Sequence, residues 1–121
     1  MKTVAFLVVL TVVAADIEFY KTGNDNYDIN ALIANVTKLQ AFMDCFQDKA
    51  PCTELTASYK KNIPEAVAQA CKRCNPSQKH MFAQFLEGVK KVLPKEYNEF
   101  RQKYDPENKY FDALEKELSK Y

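Results

Sequence analysis

The sequence predicts an all-α fold, and three observations carry that expectation. The 121 residues include only two glycines. No stretch sustains the apolar/polar alternation of a half-buried strand. Beyond residue 28, apolar residues recur at i, i+3, i+4 and i+7, and Pro51, Pro64, Pro76, Pro94 and Pro106 punctuate the pattern. Six amphipathic helices in a single small domain follow, without an internal repeat or a low-complexity segment.

The chain opens on MKTVAFLVVLTVVAA. Lys2 supplies a short basic n-region, Val4 to Val13 an apolar h-region, and Val13 and Ala15 a small-residue cleavage site. Residues 1–15 therefore read as a cleaved secretory signal peptide, and the apolar run is shorter than the roughly 20 residues that span a bilayer. The domain proper is residues 16–121, expected in extracellular fluid. Lys2 leaves with the leader, so of 17 Lys+Arg and 16 Asp+Glu the remaining chain keeps 16 of each and is formally neutral. A neutral chain of this kind is not expected to seek nucleic acid or an anionic surface.

The helices follow in order. Asp28 caps a first helix whose Ile29, Leu32, Ile33, Val36, Leu39 and Met43 form one stripe. Thr53 caps a second, ELTASYKKN, with Glu54 at its positive end. Pro64 opens a third, PEAVAQACKRC, where its missing N–H is not needed. Asn75 and Pro76 repeat the device for a fourth, with Phe82, Phe85, Leu86, Val89 and Val92 or Leu93 on one face. Pro94 begins a fifth carrying Tyr97, Phe100 and Tyr104, and Asp105-Pro106 makes a turn. The last segment, NKYFDALEKELSKY, aligns Phe111, Leu114 and Leu118.

The stretch CKRC, Cys71 to Cys74, admits three readings: a redox couple, half of a zinc site, or a structural disulfide. The redox reading wants a βαβ context, and the flanks are helical in composition. Zinc would use Cys45, Cys52, Cys71 and Cys74, but six residues separate the first pair, wider than the usual spacing of about two to four. An exported chain with an even number of cysteines favours disulfides. Four cysteines allow three pairings; geometry favours the local one, because residues three apart on a helix come within reach of a disulfide. Local closures pin corners and leave helices free to shift against one another.

The chain carries 15 Phe and Tyr residues and no Trp. Such stripes are ordinary core in a domain of this size. The tyrosines among them, Tyr27, Tyr59, Tyr97 and Tyr104, also suit an amphipathic tunnel, because each buried hydroxyl needs a partner. Catalysis has little support: there is no G-x-S-x-G, no His-Glu-x-x-His and no phosphate-cradling glycine loop. His80, Glu115, Glu117 and Lys90-Lys91 read as solvated surface. Asn35-Val36-Thr37 is an N-glycosylation sequon placed on the polar side of the first helix.

The order Cys45-x6-Cys52-x18-Cys71-x2-Cys74, a leader peptide, KYDP at residues 103–106 and DNYDIN near the start together resemble the insect chemosensory proteins of the OS-D-like family. The resemblance covers essentially the whole mature chain. It departs from the pattern in a short segment after Tyr27, in Tyr97 where the family often carries tryptophan, and in the polar tail ending at Tyr121. It implies six helices around a hydrophobic channel, disulfides Cys45–Cys52 and Cys71–Cys74, and long-chain fatty acids, alcohols, esters and similar semiochemicals as ligands. On that footing the expected lining is Tyr27, Phe42, Tyr59, Ile63, Val67, Phe82, Phe85, Val89 and Tyr97. The protein is then expected to be a monomeric carrier, not an enzyme, without cofactor or metal. Its partner would be a small hydrophobic ligand with a long alkyl chain. The competing expectation is a signalling or scaffolding protein with a filled core that acts through protein contacts.

Overall fold

A computed structural model describes residues 17–121, so the expected signal peptide at residues 1–15 lies outside the described residues. Seven helical segments follow an extended N-terminal stretch: α1 (Ile29–Ala34), α2 (Val36–Phe46), α3 (Glu54–Lys60), α4 (Ile63–Ala68), α5 (Pro76–Val92), α6 (Pro94–Tyr104) and α7 (Phe111–Leu118). Taken as one broken helix, α1 and α2 complete the six that were expected, and there is no strand among the described residues.

The caps work as the sequence suggests. Asp28 Oδ1 accepts from Ala31 N at 3.0 Å, Thr53 Oγ1 from Thr56 N at 3.1 Å, and Asn75 Oδ1 from Gln78 N at 2.8 Å. Two boundaries differ from expectation. Asn35 breaks the first helix: its N–H bonds back to Leu32 O at 3.0 Å while its Oδ1 accepts from Lys38 N at 3.1 Å and starts α2 afresh. The break re-phases the stripe, leaving Val36 half exposed and handing the core to Leu39, Phe42, Met43 and Phe46. The Asn35 sequon thus sits at an exposed helix junction, not within a helical face.

The second difference concerns CKRC. The third helix stops at Ala68, and Ala70 and Cys71 turn left-handed, with φ of 53° and 60°. Cys71 N reaches back to Ala66 O at 2.8 Å, closing the helix end as a glycine usually does. The staple therefore closes across a turn and not across a helical face, with Cα atoms of Cys71 and Cys74 5.1 Å apart. Cys45 and Cys52 form the other disulfide across the α2–α3 corner, with Cα atoms 4.9 Å apart.

Helix α5 is the central post and packs against α1, α6 and α7. Gly88 permits a close approach to α1, because a Cβ there would fall on Cγ1 and Cδ1 of Ile33. Between α6 and α7 the aromatics pack densely: Phe100 and Phe111 are fully buried and meet edge-to-face at 6.1 Å, and Tyr97 meets Phe111 the same way at 6.2 Å. At the end of α5, Leu93 joins the core and Val92 faces solvent.

The Asp105-Pro106 turn does more than reverse the chain. Asp105 is buried, and its carboxylate accepts from the backbone N–H of Lys109 at 2.7 Å and of Tyr110 and Phe111 at 2.9 Å each. Desolvation pushes this carboxyl up, but the three N–H bonds outweigh it and hold it below the ordinary carboxylate range. Asp48, between Lys103 and Lys60, and Glu117, between Lys79 and Lys120, are each drawn down to about 2 by those partners. A depressed acid contributes stability above its unfolded value and loses it as pH falls through the folded one. Thermal melts are therefore expected to be level between about pH 5 and pH 9 and to fall steadily below about pH 4. Asp105→Asn should lower the melting temperature at neutral pH and make that acid limb shallower; an unchanged limb would remove Asp105 from the account.

Candidate functional site

The second aromatic group surrounds a cavity. Tyr27, Phe42, Phe46 and Phe85 form a chain of ring contacts at 5.6, 6.1 and 5.7 Å. Beside it lies an apolar space of about 100 Å³, partly open to solvent. Five of the nine expected lining residues meet there: Phe42 of α2, Tyr59 of α3, Ile63 of α4, and Phe82 and Phe85 of α5. The other four do not. Tyr27 stands behind Phe42, Val67 and Val89 are packed in the core, and Tyr97 belongs to the filled α6–α7 cluster, its hydroxyl donating to Glu115.

The wall also contains residues the periodicity did not single out. Ala66, Cys74 and Met81 face the space from α4, the CKRC turn and α5. Tyr20 and Thr22 come from the extended N-terminal stretch, which crosses the cavity as a strap. No periodic signal marks that stretch, because an extended segment without a neighbouring strand takes its place from scattered hydrogen bonds to side chains and to a turn carbonyl.

Those bonds are numerous. Tyr20 N donates to Arg73 O at 3.0 Å and its carbonyl accepts from Gln78 Nε2 at 2.8 Å. Gln78 Nε2 also donates to Asp25 Oδ1 at 3.0 Å, Asn75 Nδ2 to Asp25 Oδ2 at 3.1 Å, and Gly23 N to Ser58 Oγ at 2.9 Å. Burial raises the Asp25 carboxyl, but the bonds from Thr22, Gln78 and Asn75 prevail and keep it below its ordinary value. The strap thus rests on a carboxylate that stays charged at neutral pH. The CKRC turn serves the same end: its disulfide fixes Arg73, whose guanidinium lies 5.1 Å from the centre of the Tyr20 ring and whose Nε donates to Glu18 O at 2.8 Å.

The polar atoms around the cavity are turned away from it. Tyr59 Oη donates to Asn24 O at 2.5 Å, and burial pushes that phenol up to about 12. Tyr20 Oη donates to Glu65 at 2.7 Å, and burial followed by that bond raises its phenol. What remains is an apolar wall without a nucleophile or base. Among the described residues no group of His, Cys, Asp and Glu is arranged to hold a metal, and no helix is long and apolar enough to cross a membrane.

Residues 20–112 match the insect pheromone-binding family A10/OS-D. The chain belongs to this family. Among similar proteins, "Ejaculatory bulb-specific protein 3" of Drosophila melanogaster is 29% identical over 112 residues, covering 91% of this chain and 88% of that protein. "Allergen Tha p 1" of Thaumetopoea pityocampa is 29% identical over 102 residues, 81% of each chain. Of solved structures, a chemosensory protein in complex with bromo-dodecanol superposes with a TM-score of 0.73 at 24% identity, over 80% of this chain and 97% of that one. The solution structure of CSPsg4 gives 0.62 at 29% identity, over 82% and 93%. This OS-D chain therefore shares the chemosensory-protein fold, and its two disulfides are the local pair that the resemblance implied.

Proposed function

We propose that this OS-D protein is a secreted carrier that binds and solubilises small hydrophobic ligands with a long alkyl chain, such as fatty acids, alcohols, esters and related semiochemicals. The observation that carries the reading is the apolar cavity whose bordering hydroxyls are already engaged elsewhere. A space of that character rewards methylene groups and little else: each buried CH2 contributes about 0.8 kcal/mol, so a tail of about twelve carbons offers on the order of 10 kcal/mol before ordering costs. Selectivity along the tail is loose, because methylenes are alike to an apolar wall. The bromo-dodecanol held by the structural neighbour is of this chemical class.

The cavity of about 100 Å³ is smaller than the roughly 300–1,000 Å³ usual for ligand sites, so loading requires the wall to move. The half-buried Tyr20, Met81 and Phe82 are placed to do so, and Met81 has the flexible side chain for it. Both disulfides are local and leave the distances between helices adjustable.

Native mass spectrometry of the non-reduced, undelipidated protein, followed by a panel of long-chain acids, alcohols and acetates, tests the reading. Stoichiometric retention of an alkyl ligand is expected, with a melting temperature that rises with ligand concentration. A protein that stays empty against the whole panel would falsify the carrier reading and leave the protein-contact role in its place.

A further inference from the structure

We propose that the polar groove outside Tyr20 is a head-group site, so that cavity and groove together take single-chain amphiphiles with an anionic head, a carboxylate first among them. The proposal rests on the carrier reading above and adds the charge of the ligand. The groove, about 380 Å³, is lined by Glu18, Lys21, Lys61, Glu65 and Arg73. Tyr20 and Asn62 border both it and the apolar cavity, so the two spaces are separated by one aromatic ring and one amide. A tail that enters past Tyr20 leaves its head in the groove.

The cavity itself has nothing to offer a head group. Each polar side chain on its wall is already engaged: Tyr20 Oη with Glu65, Tyr59 Oη with Asn24 O, Thr22 with Asp25, Gln78 with Tyr20 O and Asp25, and Asn62 with Ser58 O. A buried head would lose its water without gaining a partner. The head belongs outside.

The sign of its charge follows from the groove's own ion pairs. Arg73 Nη1 lies 3.2 Å from Glu65 Oε1, which also accepts from Tyr20, and Arg73 Nη2 lies 3.9 Å from Glu18. These three groups largely satisfy one another. Lys21 and Lys61 are exposed and form no ion pair among the described residues. Three cations against two carboxylates leave the groove with one positive charge in excess, carried by flexible ammonium groups that can follow a carboxylate. In a chain whose formal charge is only +1, this excess is a local arrangement that overall composition conceals.

Calorimetric titration of the purified protein with decanoate, decanol and decyltrimethylammonium, matched in tail and differing in head, tests this. Decanoate should bind about fivefold tighter than decanol, the scale of one solvated charge contact, and decyltrimethylammonium should bind weaker than decanol. The decanoate-to-decanol ratio should fall toward one in Lys21→Glu/Lys61→Glu, take an intermediate value in Lys21→Gln/Lys61→Gln, and shrink with added salt. If decanol binds but decanoate gains nothing over it, or if both double variants keep the wild-type ratio, the head-group site is overturned and the carrier reading stands. If none of the three ligands binds, both fall together.

Discussion

Phe100→Ala is expected to lower the unfolding free energy by about 3–5 kcal/mol, the usual cost of truncating a fully buried phenylalanine. Phe100 has no exposed surface and touches two other rings, Phe111 edge-to-face at 6.1 Å and Tyr104 at 4.9 Å. Its loss leaves an apolar hole between α6 and α7, where neighbouring rings are too stiff to collapse into the space. Two short disulfides do little to offset this, since closures of about eight and four residues contribute roughly 2.5 and 2 kcal/mol in the loop-entropy account, and in the variant as much as in the parent. Urea unfolding in non-reducing buffer measures the difference. Because Phe100 does not border the ligand cavity, folded Phe100→Ala should keep its decanol affinity. A loss below about 1.5 kcal/mol would mean that α6 and α7 repack around the gap, contrary to the rigid cluster described above.

That cluster bears on how far the sequence could be read. Helical periodicity says which residues face inward, and nearly every stripe does so: Leu39, Phe42 and Met43 in α2, Phe85, Leu86 and Val89 in α5, Phe111, Leu114 and Leu118 in α7. It is silent on whether an inward face meets a filled interior or a void, because both demand apolar side chains. Tyr97 and Tyr59 illustrate this. Each is an inward tyrosine with an engaged hydroxyl, but Tyr97 sits against Phe111 in solid packing while Tyr59 borders open space. Which of the two an inward face meets is decided by contacts distant in sequence, of the kind that brings Ile33 of α1 onto Gly88 of α5.

Boundaries were hidden for a different reason. The end of α4 uses left-handed Ala70 and Cys71, where a glycine would have announced the stop, and the conformation is held by the Cys71–Cys74 bond instead. At Asn35, one residue both ends α1 and caps α2, a double role compatible with the apolar rhythm on either side. The N-terminal strap was the least legible part of the site, since its placement depends on Asp25, Gln78, Asn75 and Arg73 coming together across some fifty residues.

Filling the cavity should abolish carriage without unfolding the protein. Ala66 is buried on α4 and faces the apolar space, so replacing it progressively by Val, Leu and Phe extends a side chain into about 100 Å³ of unoccupied volume. Overpacking a closed core costs about 1–3 kcal/mol, whereas filling a real void adds apolar burial without that strain. The two effects give opposite signs of stability change. If the space persists in solution, the melting temperature should hold or rise along the series while decanol affinity drops, reaching at least about tenfold at Ala66→Phe, the equivalent of two buried methylenes forfeited. A falling melting temperature with unaltered decanol affinity would place the ligand elsewhere, because the new ring would then be straining a packed core that the alkyl chain never enters. The residue is small and apolar and is not among those lining the groove, so this series reads the tail site apart from the head.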